Sequence, residues 1–153
     1  MSVAPKSNLI LMVDDDPDDR LLVQEALAEC DFASELRFVE DGVELLDYLF
    51  RRDKFSPVAS SPRPVFILLD LNMPKKDGRE ALREIKMDPE LKKIPVVVLT
   101  TSKADTDISR IYELGANSFI SKPTAFESLV TVMKAVGKYW FEVVALPTRL
   151  GQL

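Results

Sequence analysis

The chain has 153 residues, 46% of them apolar and 29% charged, with a net charge of −5. That size and balance suit one soluble domain with a sizeable core, and the acidity argues against a nucleic-acid partner, which usually demands a basic surface. Histidine is absent and Cys30 is the single cysteine, so Ser-His-Asp triads, Cys-His pairs, imidazole-held zinc, a phosphohistidine within this chain and an internal disulfide are all excluded. The longest apolar runs, Leu9–Val13 and Val65–Leu69, hold five residues each. A membrane-spanning helix needs about 20, so no membrane partner is expected. The short charged N-terminus does not read as a signal peptide, and a reduced, cytoplasmic setting is expected.

Leu9–Val13 reads as a strand buried on both faces. Asp16-Pro17-Asp18-Asp19 then opens a helix, with a cap, a proline at the first position and acids in the first turn. Leu21, Leu22, Ala26 and Leu27 follow at helical spacing. Leu36–Val39 is a weaker strand, and Asp41 opens a second helix carrying Val43, Leu45, Leu46, Leu49 and Phe50. Residues 56–64, SPVASSPRP, read as a surface loop. Val65–Leu69 is the next strand. Asp77-Gly78 starts a helix with Ala81, Leu82 and Ile85 that Asp88-Pro89 ends. Val96–Leu99 is a fourth strand, 104–114 a helix closed by Gly115, and Ser118–Ser121 a short fifth strand. A last helix is expected from about Thr124 to Val144.

Five strand–helix units without a sequence repeat imply an α/β fold, a doubly wound five-stranded parallel sheet of flavodoxin-like order 2-1-3-4-5. In such sheets the working site lies beyond the carboxyl ends of the strands. The residues there are Asp14 and Asp15, Asp70, Thr100 and Thr101, and Lys122. Three carboxylates at close range repel one another unless a cation sits among them. Oxygen-only donors select a hard ion such as Mg²⁺, which keeps open positions for a phosphoryl oxygen. Asp70 is the best placed nucleophile for an aspartyl-phosphate, with Lys122 and Thr100 as charge and hydroxyl partners. Any one of these acids on its own reads as a helix cap. Asp14, Asp16, Asp18 and Glu25 also match a calcium-loop spacing, but Asp19 stands where that loop needs glycine, and Leu21 and Leu22 fall inside it.

The set VDD at 13–15, Asp70 within FILLDLNMP, Asp77-Gly78, Thr100 within VVVLTT and Ser121-Lys122-Pro123 resembles the receiver domain of two-component response regulators. The resemblance covers about residues 8–140. It implies one receiver domain over 1–153 with a C-terminal extension at about 141–153, and phosphoryl transfer from a partner histidine kinase to Asp70. It further implies Mg²⁺ held by Asp15, Asp70 and the backbone carbonyl of Asn72, with Asp14 assisting, and Thr100 and Lys122 on the phosphoryl group. Phe119 takes the switch-aromatic position beside Thr100, and its coupling should rest on packing because phenylalanine donates no hydrogen bond. A cis bond at Lys122–Pro123 is also implied. The serine- and proline-rich insert and the tail YWFEVVALP are similar to response regulators that serve bacterial phytochromes, so a phytochrome-type kinase is the expected partner. Such a protein modifies itself and signals by protein–protein contact; it is not expected to be an enzyme acting on a separate substrate. Two other readings stay open on the residues: a scaffold that no longer cycles phosphate, and an aspartyl-nucleophile hydrolase, for which Asn72 lacks the acid.

The last helix adds a partner. At ~100° per residue, Glu127, Thr131, Lys134, Lys138 and Glu142 fall in one narrow polar sector. The rest of the wheel is apolar, more than one sheet face requires. A homodimer through the last helix and tail is therefore expected, the alternative being a tail that folds back on its own domain.

Overall fold

The computed structural model describes residues 8–57, 61–71, 77–101 and 105–146. Five strands, β1 (Leu9–Val13), β2 (Glu35–Val39), β3 (Phe66–Leu69), β4 (Val96–Thr100) and β5 (Ser118–Ser121), form one all-parallel sheet in the order β2-β1-β3-β4-β5. The helices are α1 (Pro17–Ala28), α2 (Gly42–Phe50), α3 (Gly78–Met87), α4 (Asp105–Glu113) and α5 (Phe126–Lys138). Parallel strands need a crossover of a dozen residues or more; α1 to α4 each lie in one, and α5 follows the last strand.

Side chains alternate across a strand, so each central strand feeds two cores. Leu11, Val13, Ile67, Leu69, Val96 and Val98 pack with α2, α3 and α4. Ile10, Met12, Phe66, Leu68, Val97 and Leu99 pack with α1 and α5. The three central strands are buried throughout, which is why they read as unbroken apolar runs. β2 lies at the edge, and only Val39 of it is buried.

Aspartates cap the helices as expected. Asp16 accepts from the Asp18 N–H at 2.9 Å, Asp41 from Glu44 at 2.9 Å, and Asp77 from Arg79 at 2.8 Å. Gly115 closes α4 with φ at 108°, a left-handed conformation that favours glycine.

Four expectations need correction. Leu21 and Leu22 are exposed and α1 is buried through Val23, Ala26 and Leu27; the leucines belong to its outer face. Val43 and Phe50 of α2 are likewise exposed. The loop at 56–64 is anchored on its far side: Ser61 and Pro64 are buried, and the Tyr48 hydroxyl donates to the Pro62 carbonyl at 2.6 Å. Residues 58–60 lie outside the described part. The last helix stops being α-helical at Lys138 and continues as a π-helical turn, Tyr139–Val143, closed by Val144 N–H to the Tyr139 carbonyl at 3.1 Å.

That turn decides where the tail goes. Phe141 and Leu146 are buried, and Trp140 is half-buried. Phe141 packs on Phe32 and Phe66, with ring centroids 5.2 and 5.6 Å apart. Trp140 and Phe141, part of the apolar excess on the helical wheel, are therefore packed against the domain itself. Phe126, Tyr139 and Val143 remain exposed. Among the described residues no helix is long and apolar enough to cross a membrane.

Candidate phosphoryl and metal site

The buried strands end together, and their next residues meet at one edge of the sheet. Asp14 N–H donates to the Val39 carbonyl at 3.2 Å, Asp70 N–H to Val13 at 3.0 Å, and Lys122 N–H to Thr100 at 2.8 Å. The sheet's own hydrogen bonding thus runs one step past the strands and fixes the backbone of Asp14, Asp70 and Lys122. Asp14, Asp15 and Asp70 bring one carboxylate oxygen each to within 4.8 Å of one another. Thr100, fully buried, donates its hydroxyl to Asp70 Oδ1 at 3.1 Å. The Lys122 ammonium donates to Asp14 Oδ2 at 3.1 Å.

Burial of Asp14 pushes its pKa above the ordinary value, outweighing the Asp16 N–H bond and the Lys122 charge that favour the carboxylate. Burial works against the Lys122 charge too, but Asp14, Asp19 and Asp70 outweigh it and raise its pKa. Neutralising acids this close calls for positive charge. The donor set is all oxygen, one buried acid, one half-buried and one exposed, with solvent access left for water ligands. That fits a hard octahedral ion such as Mg²⁺.

Of the residues singled out in the sequence, Asp14, Asp15, Asp70, Thr100 and Lys122 come together. Asn72 lies outside the described residues. Phe119 sits on β5, half-buried against the core shared with α2, α3 and α4. Its backbone N–H donates to the Tyr112 hydroxyl of α4 at 3.1 Å, so a tyrosine from the neighbouring helix supplies an oxygen beside it. No cis peptide bond occurs among the described residues. Lys122–Pro123 is trans, the usual form for a bond to proline, and the lysine reaches its acids from there.

Two residues of the site escaped the reading for chemistry. Gly78 has its backbone pressed against Asp70: a β-carbon there would lie 2.5 Å from the Asp70 carbonyl oxygen and 2.9 Å from Leu71 Cα. Asp19 accepts from the Lys122 ammonium at 3.0 Å. Its sequence signal was an acid in the first turn of a helix that starts at the site, which ordinary helix-end electrostatics also explains.

Residues 10–134 match the response regulator receiver domain family. The response regulator Rcp1 of Synechocystis is 43% identical over 139 residues, 91% of this chain and 92% of its own. A crystal structure of the phosphorylated cyanobacterial phytochrome response regulator RcpA superimposes with a TM-score of 0.85 at 43% identity, covering 93% of this chain and 99% of the other. A Mn²⁺-bound form of Rcp1 gives 0.82 at 43% identity, covering 92% and 99%. The response regulator RPA3017 in red light signalling of R. palustris gives 0.86 at 32% identity, covering 91% and 97%.

Proposed function

The chain belongs to the response regulator receiver domain family, and from that premise we propose that it is a single-domain response regulator taking a phosphoryl group from a sensor histidine kinase onto Asp70. One observation carries the reading: Asp14, Asp15, Asp70, Thr100 and Lys122 converge on one edge of the sheet, with Thr100 bonded to Asp70. A carboxylate oxygen of Asp70 attacks phosphorus, an O–P bond forms, and the P–N bond to the kinase histidine breaks with its electron pair left on nitrogen. Thr100 holds the attacking carboxylate, and Lys122 places a cation beside the phosphoryl oxygens. Asp15, Asp70 and Asp14 would hold Mg²⁺, with the Asn72 carbonyl as a further ligand. The ion supplies neutralising charge for the transferred group. The reaction modifies the chain itself, so no separate substrate is turned over.

The kinase is of phytochrome type, a reading supported by the likeness to RcpA, Rcp1 and RPA3017. The signal then passes by phosphorylation-dependent contact with another protein, with Thr100 and Phe119 as the switch pair. Residues 1–153 form one receiver domain with an extension at about 141–153. The setting is the cytoplasm, without nucleic-acid or membrane partners, and two copies pair through α5 and the tail.

Incubation with acetyl phosphate and Mg²⁺ tests the core of this reading. The wild type should gain one acyl phosphate, and Asp70→Asn none. Equal labelling of the mutant would remove Asp70 as acceptor. Absence of label in the wild type would favour the scaffold, and rapid turnover of phosphomonoesters the hydrolase.

A further inference from the structure

Lys122 has two carboxylate partners, and only one belongs to the acidic trio. Asp14 Oδ2 lies 3.1 Å from its ammonium and Asp19 Oδ2 3.0 Å. The lysine side chain is 11% exposed, Asp14 1% and Asp19 33%. Asp14 is further clamped by the Asp16 N–H, which donates to its Oδ1 at 2.9 Å. Asp19 stands in the first turn of α1, at the rim, outside the three acids whose oxygens cluster.

We propose that Asp19 is a positioning residue that holds Lys122 in the unphosphorylated protein and releases it when the phosphoryl group arrives on Asp70. The proposal rests on the assignment of Asp70 and Lys122 made above. A phosphoryl group brings more negative charge and more acceptor oxygens than a carboxylate, so it competes for the same ammonium. Of the two bonds, the one to Asp19 is the weaker: its carboxylate is partly solvated, regains water on release, and carries no second clamp. Because that bond is present before phosphorylation and absent after it, it slows the forward step alone. A partly exposed ion pair changes a rate by about two- to fivefold.

The test uses the full chain at saturating Mg²⁺ with acetyl phosphate as donor. Asp19→Asn should phosphorylate about two- to fivefold faster than wild type, while the lifetime of the phosphorylated form stays the same. Asp18→Asn, which removes the same charge from the same helical turn, should leave both rates unchanged. In a Lys122→Met background Asp19→Asn should have no effect. An unchanged forward rate, an equal change in both rates, persistence of the effect without Lys122, or the same effect from Asp18→Asn would each overturn the proposal. A second readout stands apart from phosphorylation and so from the assignment of Asp70. In metal-free protein the Lys122 ammonium protons, shielded by two carboxylates, should give an NMR signal in wild type and Asp18→Asn that exchange with water removes in Asp19→Asn. A signal that survives Asp19→Asn would show that the contact does not hold the lysine.

Discussion

Gly78 carries no functional group, yet it governs how close α3 comes to Asp70. Its N–H donates to the Leu71 carbonyl at 3.1 Å, and both atoms that a β-carbon would strike are backbone. Neither can rotate aside. Gly78→Ala should cost about 1–3 kcal/mol of stability, and labelling of Asp70 should fall as its carbonyl is pushed away. Thermal melting and acetyl phosphate labelling would measure the two effects. Asp14 should make Mg²⁺ binding at the proposed site pH-sensitive. Burial raises its pKa, so it takes up a proton at a higher pH than an ordinary aspartate, and a protonated carboxyl is a poor metal ligand. Apparent Mg²⁺ affinity should therefore fall as pH drops, beginning above the usual carboxylate range. Calorimetric titration at several pH values would show the slope, and Asp14→Asn should flatten it.

At the scale of elements, α5 shows what periodicity reads and what it misses. Leu129, Met133 and Val136 are buried at the spacing of an ordinary helix, and that stripe was legible from apolar recurrence. The π-helical turn was not. It spreads one turn over an extra residue, and Phe141, four residues beyond Gly137 and so already on the side of the buried stripe, packs into the same core. Nothing in side-chain polarity announces it. Its packing depends on Gly137, where a β-carbon would run into the Phe32 ring. Alanine in place of helical glycine gains about 1 kcal/mol, while overpacking costs about 1–3 kcal/mol. Gly137→Ala should thus be destabilising in wild type and stabilising in a Phe32→Ala background, a reversal that chemical denaturation would reveal. Leu21 and Leu22 mark the other limit: a helix carries apolar residues on its outer face too, and spacing alone does not say which set is inward.

For the whole molecule, topology did most of the predictive work. Three unbroken apolar strands ending in Asp14, Asp70 and Thr100 place chemistry at one edge whatever the helices do, because a parallel sheet points all its carboxyl ends the same way. Asp19 and Gly78 were harder to find because their roles depend on distances between segments far apart in the chain. The tail folds on its own domain through Phe141 and Leu146, so the proposed pairing of two copies would rest on Tyr139 and Val143, which stay exposed just beyond α5. Sedimentation of the full chain at concentrations on the order of tens of micromolar should give a dimer. Tyr139→Asp with Val143→Asp should give a folded monomer. A wild-type monomer, or a double mutant that still pairs, would remove this face. Ending the chain at Lys138 is a poorer test, since it also strips Phe141 and Leu146 from the core.

The two bonds of Lys122 join residues 108 and 103 positions apart. A ribosome therefore makes the acids of this site long before it makes their cation. Until β5 emerges and pairs with β4, the acidic edge stands without its lysine, and closing loops of that length is among the later events of folding. On the proposed assignment, a nascent or half-folded chain would lack the cation that faces the phosphoryl group until the last strand is in place.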